Sequence, residues 1–105
     1  GLGCNLNLPL PRGTSADTWF DTLDYAMQAV ERFQPDALVV ALGVDTFEGD
    51  PISGFHLRSA DYFRLGERLA QLGLPTVVTL EGGYAVAEVG CNVANVLEGF
   101  AATAR

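Results

Sequence analysis

Two short loops in this 105-residue sequence hold side chains able to do chemistry. The first reads Gly43-Val44-Asp45-Thr46-Phe47-Glu48-Gly49-Asp50-Pro51-Ile52 and the second Glu81-Gly82-Gly83-Tyr84; each follows an apolar run. Asp45 can offer a hard oxygen ligand to a metal such as zinc. One carboxylate is not a metal site, however, and a loop aspartate also serves as a turn or cap residue. Asp50 before Pro51 is a turn signal, and Glu48 reads as solvated. Gly82-Gly83 lets the backbone approach another group closely or take positive φ, so that Tyr84 can lean its hydroxyl into a crevice. The same residues also suit a plain strand-to-helix turn with a half-buried tyrosine, or a phosphate cradle at a helix N-terminus. Neither the Walker lysine nor a full G-x-G-x-x-G pattern accompanies them. His56 is the only histidine and reads as a loop residue, so a His-rich zinc cluster or a Ser-His-Asp triad cannot be assembled from this sequence.

The elements that must position these loops alternate in type. Cys4 to Leu8 alternates polar and apolar residues like a half-exposed strand, ended by Pro9 and Pro11. Gly13 to Asp17 supplies N-cap candidates for a helix over Thr18 to Phe33, with Trp19, Leu23, Met27, Val30 and Phe33 as its apolar stripe. Ala37 to Leu42 is an unbroken apolar run, as in a strand buried on both faces. After the loop Gly43 to Arg58, Ser59 can cap a second helix with Phe63, Leu65, Leu69 and Leu72 facing inward, ended by Gly73 and Pro75. Thr76 to Leu80 is a third strand, and a last helix runs from Val86 to about Thr103.

The order β-α-β-α-β-α implies an α/β fold, a parallel sheet with flanking helices and right-handed crossovers. Ligands in such sheets bind beyond the carboxyl ends of the strands, where both candidate loops lie. With strands side by side in chain order, the crossover helices share one face and leave the other wet. Such a sheet needs partners, either the rest of a larger domain or further copies of the chain. The sequence opens on Gly1-Leu2-Gly3 without an initiator methionine, which fits a trimmed or partial chain.

Composition narrows the function classes. Thirteen acidic against six basic residues give a net charge of -7, which disfavours nucleic-acid binding and favours cations, amines included. No run of about 18 apolar residues or signal-peptide pattern is present, so no membrane association and a cytoplasmic location are expected. Cys4 and Cys91 lack metal-knuckle spacing and are expected to be reduced and buried as small apolar residues.

Taken together, the two loops carry a resemblance. Leu42-Gly43-Val44-Asp45-Thr46-Phe47-Glu48-Gly49-Asp50-Pro51 resembles the LG-[AV]-D-x-x-x-x-DP segment of zinc-dependent deacetylases of the acetylpolyamine amidohydrolase and histone deacetylase superfamily. Leu80-Glu81-Gly82-Gly83-Tyr84 resembles their later GGY segment, and Glu88 to Leu97 is similar to the closing helix of the bacterial acetylpolyamine amidohydrolase branch. The resemblance covers nearly the whole sequence. It implies that residues 1–105 are the C-terminal portion of a single deacetylase domain, one part of an arginase-deacetylase fold. It also implies that Asp45 is the last of three protein ligands to Zn2+ and that Tyr84 is catalytic, polarising the scissile carbonyl. Ile52 would line the substrate channel, with Gly82 and Gly83 in its wall. The family's Asp-x-His motif and His-His pair lie earlier than this segment, so the isolated chain is expected to be inactive. The implied substrate is a small acetylated amine, an acetylpolyamine or acetyl-lysine. The alternative reading is a small α/β module binding phosphate or a nucleotide at Gly82-Gly83.

Overall fold

A computed structural model describes residues 2–104. Five elements follow one another: α1 (Ala16–Phe33), β1 (Leu38–Leu42), α2 (Ser59–Ala70), β2 (Thr76–Leu80) and α3 (Val86–Thr103). The expected strand at Cys4 to Leu8 does not form. That segment has no secondary structure beyond a turn at its start, because residues 4–10 find no main-chain partner among the described residues. Alternation gives a segment the pattern of a strand, but a ladder also needs a neighbouring edge.

Helix α1 begins at Ser15, whose hydroxyl accepts from Thr18 N at 3.2 Å, and it ends with Gln34 in the left-handed region at φ 55°. Its buried anchor is Phe20, 1% exposed, with Trp19 edge-on at 5.2 Å and the Arg64 guanidinium 4.0 Å from its ring. Full burial of such a ring stabilises by roughly 1.5–3 kcal/mol. Trp19, Leu23 and Met27 pack beside the core as expected, whereas Phe33 is exposed. Helix α1 is also tied to α2 by Arg68 Nε, which donates to Asp24 Oδ1 at 2.9 Å.

The first turn of α2 is closed by Asp61, whose carboxylate accepts from Arg58 N at 2.8 Å; the cap position is therefore Arg58, one residue before Ser59. Leu65 and Leu69 are buried as expected, but the deepest residue of α2 is Tyr62, at 0% exposure. Gly73, at φ 67°, ends the α2 turn before Pro75. Helices α2 and α3 touch through their main chains. A Cβ on Gly66 would lie 2.0 Å from Val96 O, and one on Gly99 2.0 Å from Phe63 O, so only glycine permits this approach at either place.

Strands β1 and β2 pair in parallel with Leu38 opposite Thr76 and Leu42 opposite Leu80. One face carries Val40, Leu42 and Val78 into the core; on the other, Val39 is 70% and Val77 61% exposed. The expected wet face is thus present, and β1 alternates rather than being buried on both sides. Cys4 and Cys91 are both exposed free thiols, contrary to expectation: Cys4 lies in the unpaired segment and Cys91 on the outer side of α3. Among the described residues no helix is long and apolar enough to cross a membrane.

Candidate functional site

Because the strands are parallel and in register, both leave the sheet at the same edge, and the loops that follow are bonded to one another. Glu81 N donates to Leu42 O at 2.7 Å and Val44 N to Gly82 O at 2.8 Å, extending the ladder past the strand ends. This seats Asp45 directly on the second loop. A Cβ on Gly82 would lie 2.5 Å from Asp45 Oδ2, and one on Gly43 3.0 Å from Asp45 Oδ1. The two glycines form the floor on which this carboxylate rests. Among the described residues no donor hydrogen-bonds to it, so its lone pairs remain available.

The chain on either side of Asp45 is anchored by Tyr62. Its hydroxyl donates to Val44 O at 3.1 Å and lies 2.8 Å from Thr46 Oγ1, whose own proton then serves the tyrosine oxygen. Burial, with added repulsion from the Asp45, Asp50 and Asp61 carboxylates, drives the phenol pKa well above its ordinary value, and the Thr46 bond opposes this only in part. Tyr62 therefore stays neutral and remains a donor. The rest of the loop closes on itself through Glu48 N to Leu57 O at 2.7 Å and Leu57 N to Thr46 O at 3.0 Å.

Asp50 lies between the loops and is only 7% exposed. Its Oδ1 accepts from Ile52 N at 2.9 Å and Ser53 N at 3.0 Å, and its Oδ2 from Tyr84 N at 2.9 Å. Desolvation pushes the carboxyl pKa up, but the main-chain N–H groups of Ser53, Ile52, Tyr84 and Ala85 outweigh it, and the net shift is downward. The turn expected at Asp50-Pro51 is present; its reach across to Tyr84 had no local signal.

The structure thus gathers Asp45, Ile52, Gly82, Gly83 and Tyr84 around one edge of the sheet. Tyr84 is 47% and Ile52 62% exposed, so both side chains are accessible to solvent where the strands end. Gly83, at φ 147°, has a conformation that side chains rarely adopt, and a Cβ there would meet Val44 Cγ2 at 2.6 Å. Glu48 and His56 are exposed, as expected of loop residues; Glu48 is 4.0 Å from Arg58, a solvated pair of little energetic weight. Among the described residues no three His, Cys, Asp or Glu side chains converge on a point where a metal could sit. Asp45 can contribute one oxygen to such a site, and its free, glycine-floored carboxylate fits that part.

Acetylpolyamine amidohydrolase 1 of Pseudomonas aeruginosa is 53% identical over 105 residues, which cover 100% of this chain and 30% of that protein. Acetylpolyamine amidohydrolase 2 of the same organism is 51% identical over 100 residues, covering 95% and 29%. The crystal structure of acetylpolyamine aminohydrolase from Burkholderia pseudomallei superposes with a TM-score of 0.96 at 40% identity, covering 100% of this chain and 31% of that one. The chain therefore spans under a third of the length of these relatives, and the fold it shares is part of the arginase-deacetylase fold. The model of the histone deacetylase domain matches residues 1–100, and with these identities it shows that the chain belongs to the histone deacetylase domain family.

Proposed function

We propose that this chain is the C-terminal portion of a cytoplasmic zinc-dependent amidohydrolase that removes acetyl groups from small acetylated amines. Asp45 would supply one zinc ligand and Tyr84 the hydroxyl that polarises the substrate carbonyl. The observation that carries this reading is the seating of the unbonded Asp45 carboxylate on Gly82, in the loop that presents Tyr84. When bound, zinc supplies Lewis-acid activation of water and of the amide carbonyl. The Tyr84 hydroxyl donates a hydrogen bond to the carbonyl oxygen and holds it more strongly as negative charge develops there. Ile52 offers an apolar wall suited to a methylene chain, and Gly82 and Gly83 let the channel wall be backbone.

The phosphate-cradle alternative is disfavoured by the same loops. Tyr84 N–H, the donor at the entrance to α3, is already bonded to Asp50, and Asp45 adds a second carboxylate where an anion would have to sit. The names of the relatives favour acetylpolyamines as substrates, and a net charge of -7 suits polycations, although it would draw basic peptides too.

In the full-length protein carrying this segment, Tyr84→Phe should lower turnover by a factor on the order of 10² to 10³ with zinc retained. Asp45→Ala should lose the metal. An unchanged rate in the first and unchanged zinc content in the second would together reject the role assignments. Steady-state kinetics on acetylputrescine, acetylspermidine and an acetyl-lysine peptide test the substrate class; a peptide kcat/KM well above both polyamines would reject it. The 105-residue chain by itself should neither turn over substrate nor hold zinc tightly. It should self-associate through the sheet face bearing Val39 and Val77, and a clean monomer at high concentration in sedimentation would refute that.

A further inference from the structure

The Gly82-Gly83 pair that brings Asp45 and Tyr84 together also deprives Tyr84 of stiffness, since glycine is the most conformationally free residue. Tyr84 is 47% exposed, and its hydroxyl has no hydrogen-bond partner among the described residues. What the structure does hold is its main chain. Helix α3 begins two residues later with Ala85 at the cap position, which has no side-chain acceptor to offer. The acceptor comes instead from Asp50, 34 residues earlier, whose Oδ2 takes the Tyr84 N–H at 2.9 Å. An ionised carboxylate at this point also faces the positive end of α3.

The other oxygen of Asp50 is bonded to Ile52 N and Ser53 N, so the carboxylate cannot swing away without breaking its own turn. We infer that Asp50 is the positioning residue for Tyr84, substituting for the missing cap of α3 and fixing the main-chain position from which the tyrosine hydroxyl is presented. Asp45 is held by other means, through Tyr62, Thr46 and the glycine floor. The two supports are separable. This inference rests on the proposed role of Tyr84.

The test uses the full-length protein with Asp50→Asn, which keeps the shape but replaces one acceptor oxygen with an NH2 that cannot accept. Misplacing a reacting group by about 1 Å can cost on the order of 10²-fold, so kcat should fall about 10- to 100-fold while zinc content stays at the wild-type level. Amide exchange at Tyr84 should accelerate. The double variant Asp50→Asn/Tyr84→Phe should be no slower than Tyr84→Phe alone, because a group acting only through the hydroxyl has nothing left to position. Asp50→Glu, which keeps the charge but moves the acceptor, should show the same pattern and serves if the Asn variant does not fold. Wild-type kcat in both variants, loss of zinc in step with kcat, or multiplying losses in the double variant would each overturn the inference. A fully active Tyr84→Phe would instead overturn the functional reading, and amide exchange at Tyr84 would still report whether Asp50 holds it.

Discussion

Gly82→Ala adds one methyl group beneath the Asp45 carboxylate. Gly82 does not have the positive φ that would strain an alanine, so the effect is steric. The new Cβ would lie 2.5 Å from Asp45 Oδ2 and 3.0 Å from its Cγ, whereas ordinary contact begins at 3.4 Å, so the carboxylate must retreat by about 0.9 Å. Metal–ligand distances tolerate only about 0.2 Å. Disturbing a ligand's support typically costs about 10- to 100-fold in metal affinity, and the proposed zinc site should weaken by that order. Chelator competition on the full-length protein measures the affinity directly, without reference to turnover. Gly43→Ala provides a graded comparison, since its Cβ would meet Oδ1 at 3.0 Å and ask for a smaller shift. Gly90→Ala provides a silent one, with nothing within 4 Å. The expected order of zinc affinity is Gly90→Ala equal to wild type, then Gly43→Ala, then Gly82→Ala. If Gly82→Ala bound zinc as tightly as Gly90→Ala, Asp45 would not be a ligand held in this position.

Gly66→Ala sets a Cβ 2.0 Å from Val96 O and must force α2 and α3 apart, destabilising by about 3 kcal/mol, the upper end for overpacking, as a urea titration would show; an unchanged midpoint would contradict the backbone contact. Tyr62→Phe strands Val44 O and the Thr46 hydroxyl at a cost of about 1–3 kcal/mol, and it should weaken zinc binding as well as stability; an effect on neither would remove Tyr62 from the support of Asp45. Asp50 contributes a pH dependence whose sign follows from its lowered pKa. Its stabilisation is fully present above the unfolded-state value and is lost as pH falls through the native one, so the difference in stability between wild type and Asp50→Asn should be flat from neutrality to about pH 4 and shrink below it. A difference that shrank around pH 6 would point to another group.

Both strands of the sheet and all three helices were legible because each is written in local pattern: Ser15 as a cap, Gly73 and Pro75 as a stop, and two apolar runs of strand length. The site loops were legible from residue type and resemblance. What escaped was non-local. Cys4 to Leu8 has the alternation of a strand but no edge to join among the described residues. The helical period of α1 fixed a stripe whose Trp19, Leu23 and Met27 do pack beside the core, but it did not single out Phe20 as the buried anchor and it included Phe33, which is exposed. Tyr62 sits one position before the expected inward residue Phe63, and nothing near it in sequence announces that its hydroxyl reaches back to Val44. Asp50 carried a true turn signal that concealed a second use, because the bond to Tyr84 depends on two strands ending side by side.

The contact of α2 with α3 at Gly66 and Gly99 has a mechanical consequence. Helices separated by side chains can slide as rotamers exchange, but helices in main-chain contact have no such cushion and move as one lever. The loop holding Asp45 and Asp50 leads into α2, and the loop holding Tyr84 leads into α3. A push at the far ends of the helices, near Ala70 and Thr103, would therefore carry both loops in the same direction rather than open one against the other. On this geometry the spacing of Asp45 and Tyr84 should respond less to strain arriving along the helices than to a change in the angle between this helix pair and the sheet.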